Sequence, residues 1–171
     1  MNIQRLQNIF VSTILGSVIC LLIFLLGYGG KEFELSSFAT SLEGRSKAQI
    51  HNAKLAAQAI NGIVLKPGNT FSFNRRVGPW TAARGFKRAP VSFDGELLAG
   101  WGGGVCQTSS TLYNAVLLAG LDIVQRAHHT LAPRYIAPGR DAAVTYGPGG
   151  SDLKFKNTLN APIRMIAVVK A

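Results

Sequence analysis

The sequence predicts an α+β fold, with a mainly antiparallel sheet packed against two principal helices and one N-terminal transmembrane helix before them. Three observations support this prediction. Residues 6–30 form an apolar run without Asp, Glu, Lys or Arg. Two later segments, 46–61 and 106–120, place apolar residues at helical spacing. Short apolar stretches broken by Gly and Pro fill the rest and are expected to form strands. The resulting order of helix, strands, helix and strands is typical of α+β domains rich in antiparallel hairpins.

The apolar run is long enough to cross a bilayer, which needs roughly 20 apolar residues. We interpret residues 1–30 as a signal anchor, with the following domain on the extracytoplasmic side, so the membrane is a predicted partner. Two alternatives stay open. A secretory signal would be cleaved near the small residues of 27–29 and would release the domain. A lipoprotein signal would end at Cys20, but the preceding Val18 and Ile19 are larger than its processing requires.

Residues 31–46 carry mixed charge, several hydroxyl groups and no sustained period, so they are interpreted as a linker. Residues 47–171 then form a single domain, which is long enough to supply its own hydrophobic core. No disulfide is predicted, because the chain has two cysteines and Cys20 lies in the apolar run, away from Cys106.

Basic residues outnumber acidic ones, with 18 Lys and Arg against 8 Asp and Glu and a formal net charge of +10. A surface of this sign attracts anionic partners such as an envelope polymer, lipid headgroups or the carboxylates of cell-wall peptides. A high net charge also keeps a domain soluble without such a partner. Nucleic acid is disfavoured as a partner, because the chain has an export-type segment and no recognised nucleic-acid-binding module.

The first principal helix is predicted over residues 46–61. Ser46 is its expected N-cap, Gln49 completes a capping box with it, and Gly62 ends the helix. Two short strands are expected next, around a Pro-Gly turn, at 63–65 and 70–73.

Residues 75–89 contain five basic residues beside two aromatic ones, Trp80 and Phe86. They are expected to form an ordered surface loop or a short helix. The aromatic rings either anchor this loop to the core or, together with Arg84 and Arg88, bind a substrate by stacking and charge.

The second principal helix is predicted to begin near Cys106 and to end at Gly120. Its core side is expected to carry Leu112, Val116, Leu117, Ala119 and Leu121. The remaining strands are expected in a hairpin at 90–98 around Asp94-Gly95 and at 122–129, 141–147, 152–157 and 162–170.

Cys106 is the candidate nucleophile. It follows three glycines, 102–104, at the start of the second helix, where unpaired amides and the helix dipole stabilise a thiolate. Gly103 and Gly104 are expected to let a substrate backbone approach and to leave amides free for an oxyanion, and Gln107 to donate a further hydrogen bond.

A cysteine nucleophile needs a base, and the chain has three histidines. His128 and His129 follow a predicted strand, so only one of them would face Cys106. Asp141 would orient that imidazole. No cofactor or metal is predicted, because one cysteine and two histidines are a sparse ligand set, and a Cys-His-His site completed by water is the less favoured alternative.

A structural interpretation stands beside this chemistry. In it Cys106 is a small buried hydrophobe, the glycines serve a tight crossing of the chain, and the histidines have no catalytic role. The hydroxyl residues 108–111 would cap the helix rather than act as nucleophiles. Asp141 would form an ion pair with Arg140 or stabilise a turn.

Six strings occur in order along the chain: FSFN at 71, APV at 89, GGGVCQTSSTLYNA at 102, GLDIVQRAHH at 120, GRDAAVTYG at 139 and DLKFKN at 152. Together they resemble the VanW-like family, named for an accessory protein of vancomycin-resistance gene clusters. The resemblance covers residues 47–168 and departs from the family pattern at Ser110, where a threonine is usual. It implies an envelope-associated protein from a family without an assigned biochemical activity.

The order cysteine, histidine, aspartate is similar to the arrangement in transglutaminase-like and papain-like enzymes, and the string GVCQ resembles the nucleophile region of bacterial transglutaminase-like domains. We therefore expect a membrane-anchored envelope domain that acts on or binds peptidoglycan-related peptides, with acyl transfer or hydrolysis at Cys106 as its chemistry. The alternative is a non-catalytic module that binds an anionic cell-wall polymer or peptide through the basic loop.

Overall fold

The computed structural model describes residues 18–26, 32–93 and 96–170. Nine strands, three α-helices and one 3₁₀ helix occur along these ranges. In chain order they are β1 Val18–Leu26, β2 Glu32–Ser41, α1 Lys47–Ile60, β3 Val64–Leu65, β4 Thr70–Ser72, α2 Phe73–Val77, a 3₁₀ helix Ala82–Arg84, β5 Arg88–Phe93, β6 Glu96–Trp101, α3 Val105–Leu118, β7 Asp122–Gln125, β8 Lys154–Lys156 and β9 Ile163–Lys170.

The named strands form three sheets, and every pairing between them is antiparallel. The strand orders are β2-β1-β9-β3, β4-β8-β7 and β5-β6. The two longer helices, α1 and α3, pack against each other and against the four-stranded sheet. The predicted α+β class, its antiparallel sheets and its two principal helices are therefore confirmed, and α2 is a third, short helix.

The predicted transmembrane helix over residues 6–30 lies for the most part outside the described residues. Within it, β1 is a strand that pairs with β2 on one side and β9 on the other. Among the described residues, no helix combines the length and the apolar character needed to cross a membrane. The signal anchor therefore stays a prediction.

The expected linker contains a strand. β2 lies at one edge of the four-stranded sheet and packs against α3. Ser36 Oγ donates to the carbonyl oxygen of Ala115 at 2.6 Å, and the hydroxyls of Thr40 and Thr111 share a buried hydrogen bond of 2.8 Å. The serines and threonines that obscured a strand pattern in the sequence are the side chains that join this strand to the helix.

The first helix forms as predicted. Ser46 Oγ accepts a hydrogen bond from the backbone N–H of Gln49, and Gln49 Oε1 accepts one from the N–H of Ser46, so the capping box is complete. Asn61 is the C-cap, and Gly62 follows with a positive φ of 77°. The buried face of the helix carries small residues that bring it close to its neighbours; its buried apolar residues are Ala53, Ala56, Ala57 and Ile60.

The segments predicted as strands at 63–65 and 70–73 form β3 and β4, but the two strands join different sheets. β4 ends at Ser72, whose hydroxyl caps α2, so Phe73 begins a helix instead of ending a strand. The predicted hairpin over 90–98 is present as β5 and β6. Phe86 is 5% exposed and anchors the loop between α2 and β5 to the core.

The strand predicted over 141–147 is absent, and a single bridge between Ala127 and Ala143 stands in its place. The backbone of this segment bonds to side chains of α3 instead of to a neighbouring strand. Ser110 Oγ accepts from the N–H of Ala142 at 2.9 Å, and Ser109 Oγ donates to its carbonyl oxygen at 2.6 Å. The segment is therefore fixed directly against α3.

The second principal helix forms as predicted. α3 buries Leu112 and Val116 completely and ends near Gly120. The expectation for Leu117 was wrong, because this side chain is 46% exposed. A turn of about 100° per residue takes it off the face that Val116 shares with the core.

Candidate functional site

Cys106 lies in the first turn of α3, two residues after the N-cap Gly104. It is a free thiol and is partly exposed. Its thiol donates to the carbonyl oxygen of Val144, with the sulfur and oxygen 3.4 Å apart. The side chain therefore combines access to solvent with the positive end of a helix dipole.

The glycines before Cys106 allow close packing of chain segments. A Cβ at Gly103 would lie 2.5 Å from the carbonyl oxygen of Pro90, and a Cβ at Gly104 would overlap the carbonyl oxygen of Gln49. Gly104 also has a φ of +106°, which strains any residue with a side chain. The Cβ side of Gly103 and Gly104 is filled by β5 and α1, which explains the glycines by close packing; their expected role towards a substrate backbone stays a prediction.

His129 and Asp141 form a close pair. Nδ1 of His129 lies 2.6 Å from Oδ2 of Asp141, and the same carboxylate oxygen accepts from the backbone N–H of His129 at 2.6 Å. The two side chains are 13% and 6% exposed. The carboxylate thus fixes the ring and occupies Nδ1, which leaves Nε2 for another partner.

Arg126 holds Asp141 from the other side. Its Nη2 donates to Oδ1 of Asp141 at 3.1 Å, and its Nε donates to the backbone oxygen of the same residue at 2.7 Å. Nη2 also donates to the carbonyl oxygen of Gly139 at 3.0 Å. Both carboxylate oxygens are therefore bonded, and the direction of the carboxylate towards His129 is fixed.

The side chain of Cys106 acts on the pKa of His129. Burial lowers the pKa of His129, but the hydrogen bond and charge interaction with Cys106, followed by those with Asp141, raise this pKa to a net position above 6.5. Burial raises the pKa of Asp141, but the hydrogen bonds and charge of His129 bring it below 3.8. The structure thus pairs His129 with Asp141 and places Cys106 close enough to His129 to raise its pKa.

The other histidines lie outside this cluster. His128 is exposed, and its Nδ1 contacts the backbone oxygen of His129 at 3.0 Å. Nε2 of His51 contacts the carbonyl oxygen of Gly85 at 2.8 Å. Of the two candidates that the sequence left open, His129 is the one that pairs with Asp141 in the described part of the chain.

The hydroxyl residues 108–111 are fully buried and do not cap α3, so the expectation of capping was wrong. Ser109 and Ser110 bind the backbone of Ala142, the residue that follows Asp141. These bonds fasten the segment that carries Asp141 to the helix that carries Cys106. The buried hydroxyls therefore help to set the geometry of the cluster.

The expectation that Gln107 contacts a substrate was wrong. Its side chain is turned into the protein and the residue is 1% exposed. Nε2 donates to the carbonyl oxygen of Ser41 at 2.7 Å and to Thr40 Oγ1 at 3.1 Å. Gln107 joins the end of β2 to the first turn of α3.

The basic loop is held by its own side chains. Arg84 donates to the carbonyl oxygens of Val77 and Gly78, and Arg88 donates to that of Ala99 at 2.8 Å. The expected substrate-binding role of Arg84 and Arg88 gains no support from these bonds, although both residues are exposed.

Trp80 lies at the glycine turn that leads to Cys106. A Cβ added to Gly102 would lie 2.9 Å from the Cβ of Trp80, and the indole meets the ring of Tyr146 edge to face at 6.3 Å. Tyr146 is 53% exposed. Of the expected substrate-binding residues outside the glycine turn and α3, Trp80 is the one whose side chain packs against the turn before Cys106.

Sequence reasoning missed Tyr135 and Arg45. The hydroxyl of Tyr135 lies 3.2 Å from Ser110 Oγ, and Ser110 Oγ donates to the carbonyl oxygen of Cys106 at 2.7 Å. The guanidinium carbon of Arg45 lies 4.6 Å from the centre of the Tyr135 ring. The only sequence signal for either residue was a single aromatic side chain in the proline-flanked loop 130–138.

These features define a class: an α+β domain in which a helix-terminal cysteine meets a histidine held by a buried aspartate. The model of the family described as VanW like protein matches residues 48–171. The chain therefore belongs to the VanW-like family, which confirms the resemblance.

Two curated relatives extend this finding. The chain is 48% identical over 130 residues to the protein named "Uncharacterized protein YoaR" of Bacillus subtilis (strain 168), covering 76% of this chain and 42% of that protein. It is 35% identical over 113 residues to the "Vancomycin B-type resistance protein VanW" of Enterococcus faecalis (strain ATCC 700802 / V583), covering 64% of this chain and 41% of that protein. The chain thus matches less than half the length of each relative. No solved structure matches the chain.

Proposed function

We propose that this domain is a thiol-dependent acyl transferase or hydrolase that acts on peptidoglycan-related peptides at the cell envelope. Cys106 is the nucleophile, His129 the general base and acid, and Asp141 the residue that orients the imidazole. The observation that supports this most is the bond of 2.6 Å between His129 Nδ1 and Asp141 Oδ2, beside a partly exposed Cys106. This bond occupies Nδ1 and leaves Nε2 of His129 free to exchange a proton with the thiol in the proposed reaction.

The first half of the reaction transfers the acyl group to sulfur. The thiol proton moves to Nε2 of His129, and the sulfur forms a bond to the carbonyl carbon of a peptide amide. Electrons from the C=O bond move to its oxygen and then return as the C–N bond breaks. The imidazolium gives its proton to the leaving amine, and a thioester on Cys106 remains.

The second half releases the acyl group. His129 takes a proton from water or from an amine, whose oxygen or nitrogen then attacks the thioester carbon. The C–S bond breaks, and the sulfur takes the proton back from the imidazolium. Water gives hydrolysis, and an amine gives a new amide by transfer.

The backbone N–H of Cys106 suits the developing oxyanion. The N–H groups of Val105 and Gln107 donate to Gly102 and Gly104, whereas the N–H of Cys106 has no acceptor within the described part of the chain. A first-turn amide without an intrahelical partner is a ready donor to negative charge. This amide belongs to the nucleophile itself, so it lies next to the carbon under attack.

The substrate class rests on the family and on charge. One relative is named for vancomycin resistance, and vancomycin is an antibiotic directed at the cell wall. The net charge of +10 suits peptides that carry carboxylates. The expected signal anchor would place the domain where such peptides occur.

The alternative, a non-catalytic module that binds an anionic polymer, depends on the basic loop. Two of its arginines, Arg84 and Arg88, bind backbone carbonyls of this chain. Among the described residues, the loop contains no ion pair like the one between His129 and Asp141 beside Cys106. Catalysis is therefore the function that the geometry supports better.

The test uses a chain with Cys20→Ala, in which Cys106 is the single thiol. Muropeptides are incubated with this chain and with added Cys106→Ala or His129→Gln, and the products are separated by mass. We expect turnover to vanish with Cys106→Ala and to fall about 10² to 10⁴-fold with His129→Gln. The matched control is His128→Gln, which removes an exposed imidazole and should leave turnover unchanged.

Equal turnover by the Cys106→Ala chain would refute the proposal. Binding of purified cell wall that is lost when Arg84 and Arg88 are neutralised, without any turnover by the unaltered chain, would favour the binding module instead.

A further inference from the structure

We propose that Arg45, stacked on Tyr135, binds a carboxylate of the substrate next to the bond that Cys106 attacks. The inference deepens the proposed function and rests on it, because it assigns a specificity-determining residue to the same site. It starts from a guanidinium whose surroundings provide a ring to stack on and no anion.

Arg45 is half-buried and its charge is unmatched. Its guanidinium carbon lies 4.6 Å from the centre of the Tyr135 ring. It takes part in none of the ion pairs or side-chain hydrogen bonds formed by the residues that the structure describes. Burial lowers the pKa of Arg45, and a guanidinium nevertheless stays charged at neutral pH. A half-buried cation without an anion is stabilised by a carboxylate that reaches it.

Three contacts connect the segment around Arg45 with the N-terminal half of α3. On one side of it, the carbonyl oxygen of Ser41 accepts from Gln107. On the other side, the backbone of Gln49 packs against Gly104. The segment that carries Arg45 is thus fixed at both ends to the residues that flank Cys106.

The third contact runs through Tyr135. Its hydroxyl lies 3.2 Å from Ser110 Oγ, and Ser110 binds the carbonyl oxygen of Cys106. Burial raises the pKa of Tyr135, and the charge of Cys106 raises it further, so its hydroxyl stays protonated at neutral pH. The ring of Tyr135 therefore stacks against the guanidinium of Arg45 and supplies no negative charge to pair with it.

The chemistry of the site selects a carboxylate. One guanidinium matches one negative charge, and its planar set of donors fits the two oxygens of a carboxylate. The substrate would then be an acidic peptide whose free carboxylate lies close to the amide that is cleaved or transferred.

The experiment measures alkylation of Cys106 by two small reagents, iodoacetate and iodoacetamide, which differ in a single carboxylate. The chain carries Cys20→Ala, and each rate is divided by the rate with free cysteine. We expect the ratio of the iodoacetate rate to the iodoacetamide rate to fall about fivefold with Arg45→Gln, the factor for a unit charge pair near 4 Å in water. Added salt should reduce the ratio in the unaltered chain.

Two controls sharpen this result. Arg45→Lys keeps the positive charge and should retain most of the preference for iodoacetate. Lys54→Gln removes a charge from an exposed position on α1 and should leave the ratio unchanged. An Arg45→Gln ratio equal to that of the unaltered chain would overturn the inference, and so would an equal fall with Lys54→Gln.

The outcome is separable from that of the proposed function, because alkylation needs no turnover. Turnover that survives Cys106→Ala would refute the proposed function while the reagent ratio still reports on Arg45. A Cys106 that neither reagent labels would contradict both.

For a peptide pair that ends in either a carboxylate or a carboxamide, Arg45→Gln should raise the KM of the carboxylate form alone and leave kcat nearly constant. A rise in KM for both peptides would show a structural role and would overturn the inference.

Discussion

Replacement of Asp141 by asparagine tests the part of the cluster that the structure defines best. The substitution keeps the shape of the side chain and removes its charge. Asp141 is buried and bonds His129 through Oδ2 and Arg126 through Oδ1. Breaking a buried ion pair by removing one partner costs about 3 kcal/mol, which lowers the urea midpoint by about 1.5 M for a slope of about 2 kcal/mol per molar.

The same substitution should slow alkylation of Cys106. The carboxylate that fixes the ring of His129 is lost, and one charge-assisted hydrogen bond is worth about 1.5 kcal/mol, or roughly tenfold in rate. The assay measures iodoacetamide labelling of the Cys20→Ala chain at neutral pH, at urea concentrations where each variant is folded.

Asp152→Asn is the matched control. Asp152 is 6% exposed and accepts from the hydroxyl of Ser72 at 2.6 Å and the N–H of Asn74 at 2.9 Å. Its loss should lower the free energy of unfolding by about 2 kcal/mol without changing the labelling rate. Equal labelling rates for Asp141→Asn and the unaltered chain would refute the reasoning.

Three further predictions concern stability. The pKa of His129 is raised and that of Asp141 is lowered, so the pair should contribute most to the free energy of unfolding between pH 3.8 and 6.5. This contribution should fall as the pH rises through the raised pKa of His129 or drops through the lowered pKa of Asp141. Urea unfolding at a series of pH values measures this dependence, and His129→Gln should weaken the loss of stability on the alkaline side. Gly104→Ala should destabilise by at least about 2 kcal/mol more than Gly44→Ala, since both have positive φ but only Gly104 meets backbone; equal urea midpoints would contradict this. Ser110→Ala should lower the free energy of unfolding by about 2 kcal/mol, because it leaves the buried N–H of Ala142 without an acceptor. A loss below about 0.5 kcal/mol would contradict the role of this hydrogen bond.

Local patterns explain what the sequence could predict. The start of α1 follows from Ser46 and Gln49, whose side chains accept hydrogen bonds from each other's backbone N–H groups. The start of α3 follows from the glycine run before Cys106. Both depend on residues within four positions of one another, so neighbouring sequence contains the information.

Contacts between distant segments explain what it could not. Which of His128 and His129 pairs with Asp141 could not be predicted, because both lie after the end of β7 at Gln125. The alternation of side chains along a strand therefore does not apply to them. Gly104 packs against Gln49, which lies 55 positions earlier by sequence number. Arg45 meets a ring 90 positions later. No local pattern reports a meeting of this kind, and the strand predicted over 141–147 was wrong for the same reason.

The central claim is that Cys106 and His129 form an interacting pair. The most direct measurement is an NMR titration of the His129 imidazole, assigned with His129→Gln, in the unaltered chain and in Cys106→Ala. We expect a pKa above 6.5 for His129 in the unaltered chain, because Cys106 and Asp141 favour the imidazolium, and a lower pKa in Cys106→Ala. A pKa at or below 6.5 in the unaltered chain, or one that Cys106→Ala leaves unchanged, would contradict it.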